Sequence, residues 1–76
     1  MSPRLPRITA VELLRALKHA GWEPVRQSGS HVTLKHPIKL GTVTVPRHAN
    51  VTIKLKTLTA ILEQAGLTVN ELRDLL

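Results

Sequence analysis

The chain has 76 residues, with eleven Lys and Arg against five Asp and Glu, a formal charge of +6, and no cysteine. A chain this short makes one domain, 1–76, and buries only about 60% of its unfolded surface, so its core is small and no second domain fits. Without cysteine there are no disulfides, thiolate nucleophiles or cysteine-held zinc sites, a composition compatible with a reducing compartment.

Arg4, Arg7, Glu12 and Arg15 interrupt Met1–Leu17, which therefore lacks the apolar run of a signal peptide, and no stretch approaches membrane-spanning length. A soluble, cytoplasmic protein is expected. All five acids, Glu12, Glu23, Glu63, Glu71 and Asp74, lie outside Pro24–Leu62, and that acid-free middle holds Arg26, Lys35, Lys39, Arg47, Lys54 and Lys56. Such a field favours a polyanion, either nucleic acid or an acidic protein, although a basic surface also serves solubility. Trp22 is the only aromatic residue. No row of rings exists on which successive bases could stack, which argues against readers of that type.

In chain order, Met1–Arg7 is a proline-spaced basic arm, expected to be flexible, with Pro6 discouraging helix before Arg7. Thr9-Ala10-Val11-Glu12 then reads as a capping box and Ile8 as a staple onto Leu13. Ala10, Leu13, Leu14, Leu17 and Ala20 form the apolar stripe of a first helix over Ala10–Ala20, closed by Gly21 in a left-handed cap. Trp22–Gln27 reads as a short edge strand, because Pro24 has no N–H for a ladder, and Trp22 is expected to seal the core.

Ser28-Gly29-Ser30 is hairpin chemistry, His31–Lys35 a returning strand, Pro37–Gly41 a turn and Thr42–Val45 a third strand ended by Pro46. Alternation sends Val32 and Leu34 to one face and His31, Thr33 and Lys35 to the other, and it puts His36 opposite His31. Val51-Thr52-Ile53 has no clear period and is left unassigned. Leu58, Ile61, Leu62 and Ala65 restore helical spacing up to Gly66, and Leu67–Leu72 repeats the staple and capping box to start a short helix within 68–76. The expected fold is α+β, in the order α-β-β-β-α with an extra C-terminal helix. The helices cover one face of a three-stranded antiparallel sheet and leave the other open.

His31 stands on that open face beside a glycine-containing turn and among cations, where an imidazole can meet a phosphate-bearing ligand. From the residues alone it reads equally as a surface histidine without a role. His36 reads as structural at a strand end, and His19 as solvated on a helix. The histidines show no zinc-like spacing and no acid lies among His31, His36 and His48, so no metal or cofactor is expected.

The motifs Gly21-Trp22, Val25-Arg26-Gln27-Ser28-Gly29-Ser30-His31, Lys35-His36-Pro37, Val43-Thr44-Val45-Pro46-Arg47-His48 and Leu58-x-x-Ile61-Leu62-x-Gln64-Ala65-Gly66-Leu67 occur in the order in which the HicA toxin family carries them. The chain resembles that family over about Val11–Leu67, with two departures. Aliphatic Val32 and Leu34 follow His31 where relatives often have an aromatic, and Lys56-Thr57 stands where many carry Gly-Thr. The resemblance implies a fold similar to double-stranded RNA-binding domains. It also implies a metal-independent endoribonuclease acting on messenger RNA, and neutralisation by a HicB-type antitoxin.

The same resemblance makes His31 the catalytic general base and His48 a second catalytic candidate. Ser30, Lys35, Lys39, Arg47, Lys54 and Lys56 are candidates for holding RNA phosphates. The antitoxin is expected to be acidic and to cover the His31 face, with no membrane involved. The alternative, from a different class, is a double-stranded RNA-binding module without catalysis.

Overall fold

The computed structural model describes residues 4–48 and 51–76. The elements run α1 (Ala10–His19), β1 (Glu23–Ser28), β2 (His31–Lys35), β3 (Thr42–Pro46), α2 (Leu55–Ala65) and α3 (Val69–Leu75). The sheet is antiparallel in the order β1-β2-β3, with the helices packed against one face, an α+β arrangement.

One pair of local devices sets helix starts and stops. Thr9 Oγ1 accepts from the Glu12 N–H at 3.3 Å while Glu12 Oε1 accepts from the Thr9 N–H at 3.0 Å. Thr68 and Glu71 repeat this at 3.1 and 3.0 Å. Both boxes satisfy N–H groups that a helix start leaves free. At the other end of α1, the Trp22 N–H reaches back to Leu17 O and the Gly21 N–H to Lys18 O. The Leu67 and Gly66 N–H groups do the same to Leu62 O and Glu63 O at the end of α2. Each closure needs a left-handed residue, supplied by Gly21 at φ 97° and Gly66 at φ 66°. The chain then turns Trp22 and Leu67 back towards the core.

Trp22 therefore precedes β1 rather than opening it, and its side chain is fully buried. The core it joins comprises the α1 and α2 stripes, Val32, Leu34, Val43 and Val45 from the inner face of β2 and β3, and Leu72 of α3. β1 buries none of its residues, because the helices pack over β3 and share a core with Val32 and Leu34 of β2, leaving the edge strand beyond them. Its register with β2 slips between Pro24 and Arg26, leaving Val25 as a bulge. A proline that cannot donate to the ladder, followed by a bulge, also protects this edge from pairing with another chain.

Val51-Thr52-Ile53, without a period of its own, is held by the distant N-terminal segment. The Ile53 N–H donates to Ile8 O at 2.9 Å, Thr52 bridges Thr9, and Ile53 is buried. Leu5 also packs against the core and the Arg73 guanidinium donates to Arg4 O at 3.4 Å, so residues 4–7 lie along the body of the fold. The part of the expected arm at 1–3, and residues 49–50, lie outside the described residues. No helix among the described residues is long and apolar enough to cross a membrane.

A Cβ at Gly21 would stand 2.7 Å from His36 Nε2, whereas one at Gly29 (φ 58°) would meet nothing within 4 Å. Both Ala substitutions strain the backbone, at a cost on the order of 1–3 kcal/mol. Only Gly21→Ala also displaces a ring, so its urea midpoint should fall clearly further than that of Gly29→Ala; equal midpoints would contradict this.

The capping glutamates sit below the usual carboxylate value of 4.5. The main cause is the backbone N–H of their threonines and the next the threonine hydroxyl, with Arg15 helping Glu12 and Lys39 helping Glu71. A group whose folded pKa is depressed stabilises above its unfolded value and loses that contribution as pH falls through the folded one. Stability should therefore drop on acidification from about pH 4.5 downward. Denaturant midpoints of the Glu12→Gln, Glu71→Gln double variant should show a shallower acid limb, and an unchanged limb would overturn the assignment.

Candidate functional site

The site begins at the hairpin between β1 and β2. Ser28 faces His31 across a two-residue loop, Gly29-Ser30. Gly29 occupies the first loop position with φ 58°, where both tight turns suited to strand twist need a positive φ. The Arg47 N–H donates to Ser30 O, tying the chain beyond β3 to this turn.

Strand register arranges the open face in rows. His31 lies between Ser28 and Pro46, Thr33 between Arg26 and Thr44, and Lys35 between Glu23 and Thr42. Diagonal neighbours across a ladder are about 7–8 Å apart, so Arg26 and Thr44 flank the His31 position. His31 is exposed, and its ring hydrogen-bonds to no other described residue.

Sequence reasoning did not single out Arg26 among the phosphate-holding cations. The bulge at Val25 decides its neighbours, aligning Arg26 with Thr33 and Pro24 with Leu34. A bulge beside Pro24 was the available signal, but its position is fixed by pairing with β2 rather than by β1 itself.

Pro46 also walls a cleft of about 270 Å³ that His48, Thr52, Lys54 and Thr57 line. His48 and Lys54 are thus brought together one strand away from His31. The cleft reaches the start of α2, whose N-cap, Lys54, makes no side-chain bond and whose first turn contains no acid. Exposed Lys56 lies in that turn. The positive end of the helix dipole and two lysines coincide there, an arrangement that favours an anion. α2 begins at Leu55, so Lys56-Thr57 falls inside the helix and forms no separate turn before it.

Other candidates are placed elsewhere. Lys35 is exposed on the open face, about 13 Å along β2 from His31 at strand rise. Lys39 belongs to the turn beyond it, and its Nζ donates to Ala65 O at 2.8 Å, capping α2. Arg47 lines a groove of about 280 Å³ on the helix side of the sheet with Arg15, Lys18 and Gln27. Although this groove is as large as the cleft, its floor includes Val32, the neighbour of His31 that points the opposite way. Ser30 is half-buried, with its carbonyl engaged by Arg47.

His36 is a structural group. Its Nδ1 accepts from the Ile38 and Lys39 N–H groups at 3.0 and 3.1 Å, which assigns the proton to Nε2, 3.2 Å from Ala20 O. The ring meets Trp22 edge-on with centroids 5.3 Å apart. His19 is exposed in the last turn of α1. Among the described residues no three His, Asp or Glu side chains are grouped as metal ligands would be.

A three-stranded antiparallel sheet with helices on one face, in this order, is the class of double-stranded RNA-binding domains. The chain belongs to the HicA toxin family: the family described as "HicA toxin of bacterial toxin-antitoxin" matches residues 10–67, from the first residue of α1 to the residue that follows the α2 cap. No curated protein matches the chain. Membership makes it the toxin of a toxin–antitoxin system, with a HicB-type antitoxin as its partner.

The histidines divide by energetics as well as by place. His36→Ala forfeits three hydrogen bonds and an aromatic contact. It should cost about 2 kcal/mol. Replacing exposed His31 or His48 by Ala should stay within about 0.5 kcal/mol of wild type. Urea denaturation of the three variants checks this ordering.

Proposed function

We propose that the protein is an endoribonuclease that cleaves messenger RNA without a metal, using His31 as general base. The carrying observation is His31 itself, exposed at the head of β2, with no ring hydrogen bond to another described residue and with Arg26 diagonal to it. The HicA family's association with ribonuclease activity supports the same reading.

In this mechanism the imidazole of His31 takes the proton from a ribose 2′-hydroxyl, whose oxygen attacks the adjacent phosphorus. The bond to the 5′-oxygen breaks, and that oxygen leaves with a proton from a general acid, for which His48 is the candidate. The products are a 2′,3′-cyclic phosphate and a 5′-hydroxyl. Acid and base need opposite protonation states, so two histidines suit the pair of roles. The extra negative charge of the transition state falls to cations, with Arg26 diagonal to His31 and Lys54 in the cleft with His48 the candidates.

RNA phosphates are held by Lys35 on the open face and by Lys54 and Lys56 at the start of α2, with Ser30 at the turn. Arg47 reaches phosphates on the helix side, and Lys39 keeps a phosphate role only secondary to its α2 cap. Recognition through phosphates and 2′-hydroxyls suits a basic surface without stacking rings. An acidic antitoxin lying over the open face would exclude RNA by occupying the same surface, with its approach accelerated by the +6 charge.

With purified protein and a defined transcript, His31→Ala should cut about 10²–10⁴-fold more slowly. RNA affinity should stay within a few-fold, and the wild type should keep its rate in EDTA. Downstream fragments should carry a 5′-hydroxyl. Unchanged cleavage by His31→Ala, a 5′-phosphate, or loss of activity in EDTA restored by a divalent ion would each overturn the mechanism. A wild type that binds RNA without cutting it would be a binding module instead.

A further inference from the structure

The turn between β2 and β3 carries two apolar side chains that the fold does not use. Ile38 is 84% and Leu40 96% exposed, well above the 43–57% of the other exposed large apolar residues. Single exposed apolar residues are ordinary on a protein surface, but this pair stands on a pinned support. The Ile38 and Lys39 N–H groups bond to His36 Nδ1, and between the two side chains the Lys39 ammonium turns inward to Ala65 O. The loop thus spends its polar groups on holding its own shape and directs its apolar groups to solvent. The backbone at Ile38 and Lys39 is thus ordered before a partner arrives, and a partner that covers this turn has little loop left to order.

We propose that Ile38 and Leu40 are the apolar anchor on which the antitoxin docks, and that from this anchor it lies along the open sheet face to His31. The proposal rests on the reading that an acidic antitoxin covers that face. Three features favour this occupant. Beside the loop, Gly21, Glu23, Val25, Lys35, His36 and Pro37 line a hollow of about 430 Å³, and Lys35 and its strand partner Glu23 belong also to the open face. That face carries Arg26, His31 and Lys35 against the single acid Glu23. A second copy of this chain, also +6, would be repelled, whereas an acidic protein would be attracted.

Size agrees as well. His31 and Lys35 stand about 13 Å apart at strand rise. A standard interface takes about 800 Å² from each partner, a patch roughly 28 Å across, which spans the loop and His31 together.

The test is a titration of the purified cognate antitoxin into wild-type protein and into the Ile38→Ser, Leu40→Ser double variant at matched salt, with RNA cleavage followed in parallel. Both positions are solvent-exposed and distant from His31, so the variant should cut RNA at the wild-type rate, which shows that it is folded. Its Kd for the antitoxin should rise at least about 100-fold, mainly through faster dissociation. Leu76→Ser, at an apolar residue exposed elsewhere, should leave Kd unchanged.

A double-variant Kd within about threefold of wild type would overturn the anchor. So would a wild-type dimer, seen by sedimentation, that the double substitution dissolves, because the patch would then serve a second copy. Tight binding of antitoxin to wild type while RNA cleavage continues would sink the occlusion reading instead, and the variant's Kd would still decide the anchor.

Discussion

The left-handed turn at Gly21 leaves room for the His36 ring, and the rest of the molecule is arranged around that fit. The imidazole donates to the last carbonyl region of α1 at Ala20, accepts two N–H groups from the β2–β3 turn, and lies edge-on to buried Trp22. Helix end, strand end and core are thereby joined at one side chain. The β2–β3 turn is in turn linked to α2, because Lys39 reaches Ala65 O from it. Sheet and helices cannot slide past one another without breaking this junction, and His31 is held at the opposite end of the strand that it terminates.

The two faces of β2 divide the work. Val32 and Leu34 bury against the helices, while His31, Thr33 and Lys35 look outward from a strand whose position those buried residues fix. The candidate chemistry therefore rests on regular backbone rather than on a free loop, which fixes the position from which the imidazole projects. Around it the cations are distributed: Arg26 and Lys35 on the open face, Lys54 and Lys56 at the start of α2, Arg15, Lys18 and Arg47 on the helix side. A long polyanion could touch several of these groups at once, each contributing little by itself.

Much of the architecture was legible before any coordinates. Thr9 with Glu12 and Thr68 with Glu71 announced two helix starts, Gly21 and Gly66 two helix ends, and Ser28-Gly29-Ser30 the hairpin. These signals work because capping and turn formation involve residues within a few positions of one another. His31 could be placed on a polar face by alternation, and the ordered motifs pointed to the HicA family, to which the chain belongs. Less could be said of Trp22, which lies before β1 and not within it, since a cap residue and a strand residue look alike from neighbours alone.

What the amino-acid order determined by itself was the set of elements, their direction and the identity of the outward-facing histidine, because caps, periodicity and turn glycines are local. Only the tertiary structure decided which distant groups meet. It put Ile53 under Ile8, Lys39 against Ala65 and Arg26 beside Thr33 across a bulge, and it left Ile38 and Leu40 outside the core although their hydrophobicity suits burial. These outcomes depend on register and packing between segments far apart in the chain. A side chain's neighbours are then set by where another element happens to lie, information that no short window of sequence contains.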